Sequence, residues 1–235
     1  MKNILEYIEN SAKFHAEKVA FADTENSVTY SQLMKNAKSI GTALTAISKR
    51  NCPIAVYLDK SVKVPCAMFG ITYSGNFYIV VDSEMPVERI NKIFSSLSPV
   101  AVITDKSHLE NAKMLDTQGD IFIYDDIIGT EINDIALGQI RDRQIDTDPL
   151  YALYTSGSTG VPKGAVLSHR NVIAYTEWFT NTFGINSETV FGNQTPFYFS
   201  MSVSDIYSTI KSSATLCIIP KSCFSFPINL IKFLN

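Results

Sequence analysis

Apolar positions along the chain fall into two alternating rhythms. Phe21 to Asp23 reads as the end of a short strand. Beyond it Leu33, Ala37, Ile40, Leu44 and Ile47 recur at helical spacing, with Thr29 where an N-cap belongs. Ile54-Ala55-Val56-Tyr57-Leu58 then reads as a strand, Val62 to Tyr73 as a helix closed by Gly75, and Phe77 to Val81 as a strand. Pro86 opens a helix carrying Val87, Ile90, Ile93, Phe94 and Leu97 on one face, and Val100 to Ile103 follows as a buried strand. Ile121 to Tyr124 adds another.

Residues 125–147 lose both periodicity and apolar density, which predicts a linker or subdomain seam closed by the turn Asp146-Thr147-Asp148-Pro149. From Leu150 the alternation resumes with a strand to Tyr154, a glycine-rich loop, a helix from about Asn171 to Phe183, and strands around Val190 and Leu216. Such an order predicts an α/β fold of mostly parallel sheets with helices on both faces. The expected division is a first α/β subdomain over 1–130, a seam over 131–147, and the incomplete start of a second α/β subdomain over 148–235.

Composition and charge act mainly by exclusion. With 46% hydrophobic and 18% charged residues in 235, the chain is too apolar to be disordered and long enough for a sizeable core. A net charge of −3 with no block of Lys or Arg argues against a nucleic-acid partner. Cys52, Cys66, Cys217 and Cys223 are scattered, without metal-ligand spacing, and read as reduced thiols of a cytoplasmic protein. Glu6 and Glu9 interrupt any signal-peptide core, and Asp59, Lys60 and Lys63 interrupt the most apolar stretch, so neither export nor a membrane span is expected.

Candidate chemistry concentrates in Tyr151-Ala152-Leu153-Tyr154-Thr155-Ser156-Gly157-Ser158-Thr159-Gly160-Val161-Pro162-Lys163-Gly164. Glycines let consecutive backbone N–H groups converge, hydroxyls add donors and a lysine adds a mobile positive charge, a combination suited to polyphosphate. The same composition also serves an ordinary polar surface turn. A Walker A loop is excluded, because Pro162 precedes Lys163 and Gly164 stands where the magnesium-binding Ser or Thr would be.

The run from Tyr154 to Gly164, followed by Ser168-His169-Arg170-Asn171, resembles the phosphate-loop signature of the adenylate-forming (AMP-binding) enzymes. That superfamily includes acyl-CoA synthetases, luciferases and the adenylation domains of nonribosomal peptide synthetases. Val28-Thr29-Tyr30-Ser31-Gln32-Leu33 and the segment from Ile71 through Asp82 to Pro86-Val87-Glu88-Arg89-Ile90 resemble two structural signatures of the same family, with Val81 where the family has proline. The likeness spans the chain and lies nearest to amino-acid adenylation domains and D-alanine:carrier-protein ligases.

The resemblance implies attack of a carboxylate on the α-phosphate of ATP, release of pyrophosphate, and interception of the resulting acyl-adenylate by a carrier-protein or coenzyme A thiol, which takes the acyl group as AMP leaves. It assigns Thr155, Ser156, Gly157, Ser158, Thr159, Gly160 and Lys163 to nucleotide binding, with Thr159 also reaching Mg2+. Phe199, Ser200, Met201 and Ser204 become candidates for binding the carboxylic or amino acid. Amino-acid-activating members carry an aspartate where this chain has Ser200, so the α-ammonium is held elsewhere, or the substrate lacks one, or the site has decayed. Asp205 reads as a pocket residue or an ion-paired helix residue. His15, His108 and His169 are assigned no catalytic part, and no protein metal ligand is assigned.

Later family segments that hold magnesium, grip the ribose and supply the adenylation lysine do not follow Asp205; an apolar helical stretch over Phe226–Asn235 stands there instead. The expectation is therefore an N-terminal portion of the family fold, truncated, and an N-terminal fragment of a ligase that adenylates a carboxylate, an amino acid first; the alternatives are a non-catalytic remnant or nucleotide-binding module, or an acyl-CoA synthetase-type ligase acting on a carboxylic acid without an α-amine.

Overall fold

The computed structural model describes residues 1–155, 162–225 and 227–234. In chain order the elements begin α1 (Leu5–Phe14), β1 (Val19–Ala22), β2 (Ser27–Thr29), α2 (Tyr30–Leu44), β3 (Pro53–Tyr57), α3 (Lys63–Tyr73), β4 (Phe77–Val80) and α4 (Val87–Leu97). They continue β5 (Ala101–Thr104), α5 (Leu109–Lys113), β6 (Asp120–Ile123), α6 (Tyr124–Ile127), α7 (Asp134–Arg143), β7 (Pro149–Thr155), β8 (Lys163–Ser168) and α8 (His169–Phe183). The last are β9 (Val190–Asn193), α9 (Ser202–Ser212), β10 (Thr215–Ile218), α10 (Ser222–Ser225) and α11 (Pro227–Leu234).

Two sheets result, a six-stranded one in the order β6-β5-β3-β4-β7-β8 and a four-stranded one in the order β2-β1-β10-β9. Every neighbouring pair is parallel except β7–β8 and β1–β2. The larger sheet is covered on both faces, which is why its strands read as unbroken apolar runs. Ile54 and Val56 face a core shared with Leu33, Ile40 and Phe69, whereas Ala55 and Tyr57 face a second core with Ile90 and Phe94 of α4.

The first of these cores is a helical layer that also packs against the smaller sheet. There α2 and α3 come unusually close. A Cβ on Gly70 would lie 2.4 Å from Ile40 Cγ2, and one on Gly41 would lie 2.7 Å from Tyr73 Cβ. The two helices approach at positions where each lacks a side chain.

Local chemistry sets the ends of these helices. Thr29 and Gln32 form a reciprocal capping box on α2. The buried Tyr30 hydroxyl lies 2.7 Å from the carbonyl oxygens of both Thr209 and Ala214, tying the start of α2 to the end of α9. Gly75 stops α3 at φ +76°, and a Cβ there would meet Ile140 Cγ2 of α7 at 2.8 Å.

The expected boundary at 131–147 does not divide the sheets. Strands β7 and β8, beyond it, complete the sheet begun at β3, while β9 and β10 join β1 in the smaller one. The presumed seam holds α7, capped by Asn133 and anchored by buried Leu137. Its periodicity is weak because Leu137 is its one buried residue while Ile135 points into solvent. Helix α1 was likewise unpredicted, although Leu5, Ile8 and Ala12 are buried; polar Glu6, Glu9 and Asn10 separate them in the sequence. On α11, Ile228 and Ile231 are exposed.

The close approach of α2 and α3 predicts that Gly70→Ala destabilises the fold by about 1–3 kcal/mol through overpacking. Gly138→Ala, in α7 with open space around the added methyl, should be neutral or stabilising by about 0.5–1 kcal/mol. Urea melts of the two variants check this, and equal stabilities would contradict it.

Candidate functional site

The β7–β8 hairpin places the two ends of the glycine-rich segment opposite each other, with Thr155 paired to Lys163 and Tyr154 to Gly164. A Cβ on Gly164 would sit 2.6 Å from Tyr154 Cζ, so glycine is what lets that ring lie across the neighbouring strand. Thr155 and Lys163 are exposed. Ser156, Gly157, Ser158, Thr159 and Gly160 lie outside the described residues.

Immediately after the hairpin, Ser168-His169-Arg170-Asn171 anchors α8. Ser168 and Asn171 form a capping box, and Arg170 makes two contacts of 2.8 and 2.9 Å to the Asp146 carboxylate. His169 is buried, its Nδ1 accepts a hydrogen bond from the Ile4 N–H at 3.4 Å, and burial pushes the imidazole down to about 4. That is the environment of a neutral packing residue. Asp148 fixes the preceding turn by accepting from Asn51 Nδ2, Arg50 Nη2 and the Ile145 N–H.

The second candidate segment, at the start of α9, borders a cavity of about 280 Å³ against β7, β8 and α8. Ser200, Met201 and Ser204 line it, with Tyr151 and Tyr175 among the other walls. Phe199 does not; its ring lies 4.9 Å from that of Tyr198 and its carbonyl accepts from Ser202 Oγ. No Asp, Glu, Lys or Arg is found among the described residues of the lining.

Tyr151 connects this cavity to the core. Its ring stacks on Tyr78 at 5.8 Å, and the Tyr78 hydroxyl lies 2.6 Å from that of Tyr207 on α9. Burial raises the pKa of both hydrogen-bonded phenols, so they stay neutral and each can serve the other. Tyr151 and Thr155 belong to the same strand, about 13 Å apart along it.

Asp205 faces away from the cavity, accepting from Asn193 Nδ2 at 2.8 Å; burial raises its pKa, while that hydrogen bond and the Lys60 charge lower it. Lys60, to which the sequence assigned no role, donates to the carbonyls of Asn193, Gln194 and Ile219 at 2.9, 3.1 and 3.4 Å. Burial lowers its pKa to about 8. It joins the end of β3 to the ends of β9 and β10, beside a second cavity of about 220 Å³ that also contains Asp82, Glu84 and Lys221. There Lys221 pairs with Glu84 at 2.6 Å. His108 sits between Asp105 and Asp59, at 2.7 and 3.2 Å.

Among the described residues, no group of three or more His, Cys, Asp or Glu side chains is placed to hold a metal ion. Nor is any of their helices long and apolar enough to cross a membrane.

A family model described as AMP-binding enzyme matches residues 8–234. The D-alanine--D-alanyl carrier protein ligase of Staphylococcus aureus (strain Newman) is 29% identical over 237 residues, covering 100% of this chain and 45% of that protein. The chain thus spans less than half the length of the curated relatives it matches. Among solved structures, the nonribosomal peptide synthetase FmoA3 with bound alpha-methyl-L-serine-AMP superposes with a TM-score of 0.86 at 21% identity, over 99% of this chain and 25% of that one. The fatty acyl-adenylate ligase from L. pneumophila, in complex with acyl adenylate and pyrophosphate, gives 0.83 at 20% identity, over 100% and 42%.

The environment of His169 predicts acid sensitivity. Its folded pKa lies below its unfolded value, so its contribution is complete above about pH 6.5 and is lost as pH falls toward 4. Stability should drop by roughly 2 kcal/mol between pH 7 and pH 5 through this group. Denaturant melts of His169→Gln should show a correspondingly shallower pH dependence, and an unchanged slope would refute the assignment.

Proposed function

Since the chain belongs to the AMP-binding enzyme family, we propose that it supplies the phosphate-gripping hairpin and part of the acyl pocket for ATP-dependent adenylation of a carboxylic acid. The observation that carries this reading is the Thr155–Lys163 cross-strand pair, which brings an exposed hydroxyl and an exposed ammonium together at the mouth of the glycine-rich segment. Ser156, Gly157, Ser158, Thr159 and Gly160 complete the proposed nucleotide-binding set through their motif. Ser200, Met201 and Ser204 form the proposed acyl-binding wall, and Phe199 supports it through the Ser202 contact that opens α9.

In the proposed reaction a carboxylate oxygen forms a bond to the α-phosphorus of ATP while the bond to the bridging oxygen breaks, and pyrophosphate leaves with the electron pair. Charge develops on the departing phosphates, so preorganised donors at that point lower the barrier most. Thr155 donates a hydroxyl hydrogen bond and Lys163 a positive charge there. Mg2+ is the proposed partner of the nucleotide phosphates, with Thr159 the residue that would reach it through the motif. The thiol sulfur then forms a bond to the acyl carbon while the bond to the phosphate oxygen breaks and AMP leaves, with a carrier protein as the proposed acceptor by likeness to the D-alanine ligases.

The uncharged cavity favours a second reading of the substrate, in which the acid carries no α-ammonium. Burying an ammonium without a carboxylate partner costs several kcal/mol even after relaxation. Ser200 supplies only a hydroxyl where such a partner would stand.

Calorimetric titration of the chain with MgATP tests the nucleotide site. Lys163→Ala should weaken binding roughly 10- to 100-fold, the equivalent of losing one charge-assisted hydrogen bond, and EDTA should weaken it further. Unchanged affinity in the variant would overturn the phosphate assignment. Ser200→Asp should in turn raise affinity for α-amino acids in the presence of nucleotide; no gain across a panel of amino acids would remove Ser200 from the ammonium seat.

A further inference from the structure

We propose that Tyr175 is a specificity-determining residue of the acyl pocket, its hydroxyl acting with that of Ser204 to select carboxylic acids whose tail carries a neutral hydrogen-bonding group. The inference rests on the cavity beside α9 being the acyl pocket. It adds a residue from a different helix, α8, and a chemical class of substrate.

Tyr175 is 38% exposed and lies on the aromatic stripe of α8. Its ring stacks on Phe179 at 5.9 Å with an interplanar angle of 27°, and the Trp178 ring lies 5.8 Å away. Stacking restricts the ring to a narrow set of orientations. Its hydroxyl reaches across to α9 and meets Ser204 Oγ at 2.7 Å, so Tyr175 bridges the two helices beside the cavity that both residues line.

The bridge determines what the pocket accepts. Two hydroxyls that share one hydrogen bond retain one further proton and several lone pairs, enough to engage a neutral donor or acceptor on a ligand. Around them Leu167, Val172 and Val203 are apolar, and Tyr151 presents a second aromatic ring. A charged tail finds no counter-ion among the described lining residues, and a wholly apolar tail leaves the hydroxyl pair unengaged. An aryl acid bearing a phenolic hydroxyl meets both requirements, because its ring matches the aromatic walls and its hydroxyl matches the bridge.

The test compares benzoate, 4-hydroxybenzoate and 4-(aminomethyl)benzoate binding to the full chain by calorimetry. Trp178, the single tryptophan of the sequence, provides a parallel fluorescence signal next to Tyr175. The unaltered chain should bind 4-hydroxybenzoate at least fivefold more tightly than benzoate and the charged analogue most weakly. Tyr175→Phe, which keeps the ring, should shrink the hydroxyl preference to within twofold, and Ser204→Ala should do the same if either variant proves hard to fold. A preference that is absent from the unaltered chain, or that survives both substitutions, overturns the proposal while leaving the acyl pocket in place. Failure of the unaltered chain to bind any of the three overturns the pocket assignment itself, and this proposal with it.

Discussion

The structure depends on how closely α2 and α3 can approach between two sheets. Gly41 and Gly70 remove the side chains that would hold the helices apart, and the closely packed pair fills one core shared with β3 and β4 of the larger sheet and β1 of the smaller. Tyrosine hydroxyls in that core have fixed partners. Tyr30 reaches the end of α9, and Tyr78 meets Tyr207. Tyr151 stacks on Tyr78 and lines the cavity on its other side, so the same packing that holds the layers together also sets a wall of the candidate acyl pocket.

Two cavities beside this core have opposite electrical characters. The one at the carboxyl ends of the strands carries Lys60, Asp82, Glu84 and Lys221, and the hydrogen bonds of Lys60 to three carbonyls tie the sheets to each other. The one beside α9 is uncharged among its described residues. The charges of the first are engaged in holding the protein together, whereas the hydroxyls of the second retain bonding capacity. The free hydrogen-bonding capacity therefore lies in the quieter cavity.

Much of this architecture was legible in the sequence. Elements with long apolar periodicity, α2, α3 and α4, and strands buried on both faces, β3, β4 and β5, stand out because tertiary burial and local pattern agree there. Helices α1 and α7 do not, since polar residues separate the buried positions of α1 and α7 buries only Leu137. The apparent seam at 125–147 was a weakness of pattern and not of structure. At the site, the loop composition and the segment Ser168–Asn171 were visible as motifs, while the capping box within that segment was not. Tyr175 was not: a tyrosine on a helix carries no mark of its partner until Ser204 is brought to it from another element.

The sheet order also dictates a timetable. Phe21 of β1 pairs in parallel with Leu216 of β10, so β1 must wait for a partner made about 195 residues later. At ribosomal speeds of about 5–20 residues per second, that interval is roughly 10 to 40 s. Throughout it the β1–β2 hairpin offers an unpaired edge and the Phe21 ring to any other chain within reach. The smaller sheet therefore closes only after a long stretch of chain has been made, and until then β1 is the part of the fold most open to pairing with another strand.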